Sequence, residues 1–180
     1  MNIKFEIDDE ELQAALGRLI EAGTDLQPAY QDIGEALTET TKQRFQTATG
    51  PDGTAWHPNS QLTLLKFLNK SKGNFNKDGR LSSRGAGRVT SKKPLTGESK
   101  SLRTQINYRL LSDGVEIGSP MKYAAVQQFG AKQGAFGRTR RGGPIPWGDI
   151  PARPFLGVSD ADERSIREIF NEHLASALEG

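Results

Sequence analysis

The side chains able to make or break bonds are sparse in this chain. Two histidines, His57 and His173, lie far apart, and there is no cysteine. A zinc-type centre needs several nitrogen, sulfur or carboxylate ligands at short spacings, and no such spacing occurs around either histidine. His57 falls in a turn-rich stretch and His173 beside the apolar stripe of a C-terminal helix, so they are read as a loop histidine and a core-edge histidine. No G-x-S-x-G nucleophile elbow is present. The glycine-rich runs GAGR (Gly85 to Arg88) and GAFGRTRRGG (Gly134 to Gly143) lack the G-x-x-x-x-G-K-[ST] pattern that cradles phosphates. No catalytic residue, metal ligand or cofactor is assigned. The chain is expected not to be an enzyme.

What remains is charge. The net charge of +2 hides strong segregation. From Met1 to Thr40 there are ten acids against two bases, and from Lys66 to Lys93 nine bases against one acid, Asp78. A second basic cluster holds Lys132, Arg138, Arg140 and Arg141. Such opposite patches suit self-association or an anionic partner. The candidate contact residues are Lys66, Lys70, Lys72, Lys77, Arg80, Arg84, Arg88, Arg138, Arg140 and Arg141. Nucleic acid is one candidate, because neutralising phosphates releases counterions. Yet only Phe67 and Phe75 in that stretch could stack on bases, and no reader motif is present. A protein partner is therefore favoured over DNA.

The elements that must position these groups follow from pattern and length. At 180 residues with 34% hydrophobic side chains, the chain is expected to be a single domain, 1–180, with a lean core and a flexible basic loop at about 66–93. The N-terminus has no apolar h-region and no run of 18 apolar residues occurs, so neither a signal peptide nor a membrane span is expected. Ile3, Phe5 and Ile7 alternate as a short strand does. Asp8 or Asp9 caps a helix with its stripe at Leu12, Ala15, Leu16, Leu19 and Ile20, ended by Gly23. A second helix spans about Gln27 to Thr47, its far end diluted by Thr40, Thr41 and Arg44. Trp56 closes an edge of the core. Residues 94–119 are read as the sheet, with Leu102, Ile106 and Leu110 inward and a hairpin turn at Asp113-Gly114. Tyr123, Val126 and Gln127 are helically spaced, with Gly130 as the stop.

The segment Ile150 to Gly157, IPARPFLG, has another character. Pro151 and Pro154 lack a backbone N–H and exclude helix interior and central strand. Ile150, Phe155 and Leu156 nevertheless demand burial, and Arg153 sits between the prolines. This is a stiff strap laid across something. Ser159 and Asp162 then stand at capping-box spacing ahead of a last helix with its stripe at Ile166, Ile169, Phe170, Leu174, Ala177 and Leu178. The loop aromatics Trp147 and Phe155 are candidate binding anchors. The fold class is α+β: helices packed on a small, mostly antiparallel sheet, with long basic loops.

The order RF (Arg44, Phe45), GPDGTAW (Gly50 to Trp56), LTG (Leu95 to Gly97), YAAVQQFG (Tyr123 to Gly130) and IPARPFLG resembles the phage virion morphogenesis family. That family includes the tail completion proteins of Mu-like and P2-like tailed bacteriophages. The resemblance covers nearly the whole chain, and its last two motifs are the specific ones. Family members often carry His where this chain has Gln127, which argues against an acid–base role there. The basic insertion from about Lys70 to Lys92 departs from the family pattern, so no role is carried over to it. The resemblance implies a structural virion protein, made in the host cytoplasm and placed in the tail or neck. There it would act in tail completion or head–tail joining, as a tail terminator or neck component. Its expected partners are other tail and neck proteins and copies of itself in a homo-oligomeric ring, with no membrane. Tyr123, Phe129, Arg153, Pro154 and Phe155 are the expected subunit or partner contact, with the 66–93 loop reaching a neighbouring ring or tube. The rival is a DNA-binding accessory protein using that loop. A nuclease, which would need clustered acids and a metal, is a distant third.

Overall fold

The computed structural model describes residues 10–97 and 99–179. The strand expected over Ile3 to Ile7 and the cap at Asp8 or Asp9 lie outside them. Among the described residues, seven helices surround one two-stranded antiparallel sheet, an α+β arrangement.

Helix α1 (Glu10–Thr24) runs one residue past Gly23, and α2 (Gln27–Thr47) follows after a two-residue link. Pro28 sits in the first turn of α2, where its missing N–H costs nothing. Ala29, Ile33, Leu37, Thr41 and Phe45 recur every fourth residue and are all buried. The far end of α2 is not diluted as its polar residues suggested: Thr41 and Arg44 are both buried. Two further contacts fix α2. Gly34 lets the Tyr108 ring lie against the helix, where a Cβ would stand 2.5 Å from the ring. The last helix, α7 (Asp160–Glu179), packs on both α1 and α2. There Arg18 Nε donates to the Ala177 carbonyl at 3.0 Å, and the Tyr30 and Phe170 rings meet edge to face at 6.2 Å.

The sheet is smaller than expected. Strands β1 (Asn107–Leu111) and β2 (Gly114–Gly118) pair from Asn107↔Gly118 to Leu111↔Gly114, which leaves Ser112-Asp113 as the hairpin loop. Residues 94–106 contribute loop and the short helix α5 (Ser101–Thr104) instead of strand. Leu102 and Ile106 are buried, but Leu110 is exposed. A two-stranded ribbon covered on one face by α2 has few inward positions to offer.

The basic stretch is not one long loop. It holds the end of α3 (Gln61–Asn69) and all of α4 (Ser83–Ser91). Caps replace apolar periodicity here: Ser60 accepts from the Thr63 N–H at 3.3 Å and Ser82 from the Gly85 N–H at 3.1 Å. Between the helices Asn74 is buried, and its amide donates to the carbonyls of Leu68 (2.6 Å) and Ser71 (2.8 Å). Gly85 packs so closely on the Asn74 carbonyl that a Cβ would come within 2.2 Å of its oxygen. Arg88 lies 4.4 Å over the Phe67 ring and donates to Ser71.

The core is formed by Phe45, Trp56, Leu102, Ile106, Ala124 and Phe155. Trp56 meets Phe45 edge to face at 5.2 Å, and Phe155 meets the same ring at 5.5 Å. Trp56 therefore closes the core as its sequence context predicts. Helix α6 (Ala124–Phe129) supplies Ala124 and stops at Gly130. With φ of +74° and a virtual Cβ 2.7 Å from the Ile150 carbonyl, that position needs glycine twice over.

Candidate functional site: strap, cleft and arm

The strap, residues 150–157, has no regular structure but is bonded along much of its length. The Phe155 and Leu156 N–H groups both donate to Gln128 Oε1, at 2.9 and 3.0 Å, while Gln128 Nε2 donates back to the Leu156 carbonyl at 2.9 Å. The Arg153 N–H donates to the Gln127 carbonyl at 2.7 Å. Trp56 Nε1 donates to the Pro154 carbonyl at 2.7 Å, and Arg44 Nη1 to the carbonyls of Phe155 (2.9 Å) and Gly157 (2.8 Å). Buried main-chain groups outside helices and sheets must find such partners. Side chains from α2, α6 and the Trp56 turn provide them here.

Arg44 also pairs with Asp162, and both side chains are almost wholly buried. Asp162 belongs to a reciprocal capping box: its carboxylate accepts from the Ser159 N–H (2.8 Å) and hydroxyl (2.7 Å), while the Asp162 N–H donates to Ser159 Oγ at 3.2 Å. Burial pushes the Asp162 carboxyl up, but hydrogen bonds from Ser159 and Thr40 and the Arg44 charge outweigh it and leave the pKa below the ordinary value. For Arg44, burial lowers the pKa against the opposing pull of Asp162. The spacing of Ser159 and Asp162 revealed the cap. Nothing local revealed the arginine beneath it.

Arg153 is the second buried arginine, 9% exposed. Its Nε donates to the His57 carbonyl at 2.7 Å and its Nη2 to the Pro58 carbonyl at 2.9 Å. Burial lowers its pKa as well, with no opposing acid. Arg153 lines a cleft of about 510 Å³ bounded by Ser60 and Thr63 at the start of α3, the 95–101 loop, Tyr123 and Gln127 near α6, and Ile150 and Pro151 of the strap.

The arm spans residues 131–149, immediately before the strap. It is stitched by Ala131↔Ile150 at its base and Arg138↔Pro144 near its tip, with bonds such as Phe136 N–H to the Ile145 carbonyl at 2.7 Å between them. Asp149 accepts from Lys132 Nζ at 2.9 Å and from the Gln133 N–H at 2.8 Å. These hydrogen bonds lower the Asp149 pKa. Phe136, Trp147, Arg138, Arg140 and Arg141 are all exposed, with Trp147 at 78%.

The expected contact residues thus divide. Tyr123 is half exposed on the cleft wall, and Phe129, 78% exposed, sits at the end of α6 beside the arm. Pro154 is exposed on the strap. Phe155 is 0% exposed, so it can affect a partner contact only through the strap it anchors. Among the basic candidates Lys66, Lys70, Lys72, Lys77, Arg80 and Arg84 are exposed, whereas Arg88 is half-buried on Phe67. His57 is exposed in its loop, and His173 Nε2 lies 3.1 Å from the Ala22 carbonyl and 3.0 Å from that of Asp25, at the edge of the α1–α7 contact. Among the described residues no group of three or more His, Asp or Glu could hold a metal ion, and no helix is long and apolar enough to cross a membrane. Sequence reasoning missed Gln128 and Asn74, whose role depends wholly on distant or irregular main chain.

The geometry defines an α+β domain in which irregular segments are locked onto a small core, leaving a cationic cleft and an aromatic, arginine-tipped arm. The chain belongs to the phage virion morphogenesis family, whose model matches residues 7–175. It is 26% identical over 172 residues to the Mu-like prophage FluMu G protein 2 of Haemophilus influenzae, a match covering 95% of both chains. No solved structure matches it.

Proposed function

We propose that this family member is a structural protein of tail completion or head–tail joining, a tail terminator or neck component that works as a homo-oligomeric ring. In this reading it resides in the tail or neck of the virion, after assembly in the host cytoplasm, and touches other tail and neck proteins. The arm is the observation that carries the reading. An element hydrogen-bonded to itself, presenting Phe136, Trp147 and three exposed arginines, is built for a partner surface. Tyr123, Phe129 and Pro154 extend that surface, and the exposed acids Glu21, Asp25, Asp32, Glu35 and Glu39 offer a complementary one on the next copy.

A DNA-binding accessory role is the second reading, favoured by the exposed cations between Lys66 and Arg84. Against it, Phe67 already lies under Arg88 and Lys92, which removes it as a base-stacking platform. Light scattering across concentration, with and without duplex DNA, separates the two. A discrete oligomer indifferent to DNA supports the ring; a monomer that gains mass only with DNA overturns it.

A further inference from the structure

The molecule buries two arginines and treats them differently. Arg44 has the carboxylate of Asp162. Arg153, equally withdrawn from water, has two main-chain carbonyls, no carboxylate within ion-pair distance and no hydrogen-bond partner on Nη1 among the described residues. A buried cation is costly unless an anion and hydrogen bonds compensate it. Nε and Nη2 are held, so the guanidinium is fixed in place with one nitrogen still to donate.

Arg153 lines a cleft. Ser60 and Thr63 mark the N-terminal end of the nine-residue helix α3, where main-chain N–H groups favour negative charge. The 95–101 loop contributes Thr96, Ser99 and Ser101 to the lining. It is also strained: Leu95 and Lys100 hold φ of 56° and 52°, a conformation non-glycine residues keep only where their surroundings enforce it. Leu95, Leu102, Ile150 and Pro151 add apolar surface, and Tyr123 stands half exposed beside them. Asp149, also on the lining, is engaged by Lys132 and Gln133, not by Arg153.

We propose that this cleft binds a carboxylate presented by a segment of protein chain, either an aspartate or glutamate side chain or a chain terminus. The N–H groups left on Nη1 carry the guanidinium's charge, and a carboxylate is the acceptor that both pairs with that charge and takes a charge-assisted hydrogen bond. A cleft of about 510 Å³ with apolar walls holds several residues of peptide rather than a bare anion. The site goes beyond the assembly reading: a ring can form without it, and it can bind peptide in a protein that forms no ring.

The test is a titration of isotope-labelled full-length protein, following the Arg153 Nε–H and the Thr96, Ser99 and Ser101 amides by NMR. Three capped pentapeptides serve as probes: Gly-Leu-Asp-Leu-Gly amide, the same sequence with Asn for Asp, and Gly-Leu-Asn-Leu-Gly with a free C-terminal carboxylate. Saturable shifts with either acidic probe, at least about tenfold tighter than with the neutral one, support the site. The relative strength of the two acidic probes tells side chain from terminus. Arg153→Lys, which keeps the charge but loses the Nη1 donor, should weaken binding about tenfold, and Tyr123→Ala should weaken it without touching the arginine. Equal binding of acidic and neutral probes, or Arg153→Lys binding that is unchanged, overturns the proposal. Inorganic phosphate binding as tightly as the acidic peptides overturns it too. So does binding seen only in Glu98→Gln, since Glu98 belongs to the same loop by sequence and would then be the occupant. None of these readouts depends on oligomer size.

Discussion

The strap and the arm are neighbours in sequence and similar in composition, both rich in proline, glycine, arginine and aromatic residues. Their fates are opposite. The arm satisfies much of its main chain within itself and turns Phe136, Trp147 and its arginines to water. The strap bonds its main chain to Gln128, Trp56 and Arg44, and turns Phe155 and Arg153 inward. Composition cannot separate the two; the source of the hydrogen-bond partners does. A segment that closes its own bonds is free to serve a partner, whereas one that borrows them becomes part of the core.

The largest effect that would sharpen this contrast is on Phe155. Phe155→Ala should cost about 4 kcal/mol by chemical denaturation, because its place among Phe45 and Trp56 would become a cavity. Trp147→Ala should change stability by less than about 0.5 kcal/mol, as expected for an exposed site. Similar losses for the two aromatics would break the comparison.

Asp162→Ala should cost about 3 kcal/mol, since it leaves Arg44 buried without its acid and removes half of a capping box. The effect carries a pH signature. The folded pKa of Asp162 is depressed, so its contribution is present above the unfolded value of about 4 and is lost as pH falls through the folded one. The stability gap between wild type and Asp162→Asn should therefore be widest near neutrality and narrow below about pH 4. Denaturation midpoints across that range check it, and a gap independent of pH would refute the assignment.

Gln128→Ala strips the acceptor from the Phe155 and Leu156 N–H groups and should cost about 2 kcal/mol, measured in the same way. At the small end, replacing Arg138, Arg140 and Arg141 together by Ala should shift stability by less than about 0.5 kcal/mol. On the ring reading, the same triple variant should also fail to form the discrete oligomer expected of the wild type by light scattering. A triple variant that unfolds would place the arm with the strap, and one that assembles normally would remove it from the contact.

Much of the framework was legible because its signals are local. The spacing of Tyr30, Ile33, Leu37 and Phe45 marks α2, the Ser159–Asp162 spacing caps α7, and Asp113-Gly114 marks the hairpin to within one residue, its loop being Ser112-Asp113. Each depends on residues a turn or two apart, and short-range geometry does not wait for the rest of the chain. Helix α4 escaped notice because caps and the Phe67–Arg88 contact hold it, and no apolar period runs through it. The candidate site was legible only in outline. The prolines showed that Ile150 to Gly157 must be a strap, and the charges showed which loops were cationic. That Phe155 points inward, that Arg44 reaches Asp162 across 118 positions, and that Arg153 is held by the carbonyls of His57 and Pro58 were decided by the tertiary structure alone. Irregular backbone has no periodicity to announce its partners, and the cost of burying an unpaired polar group is resolved only when distant segments meet.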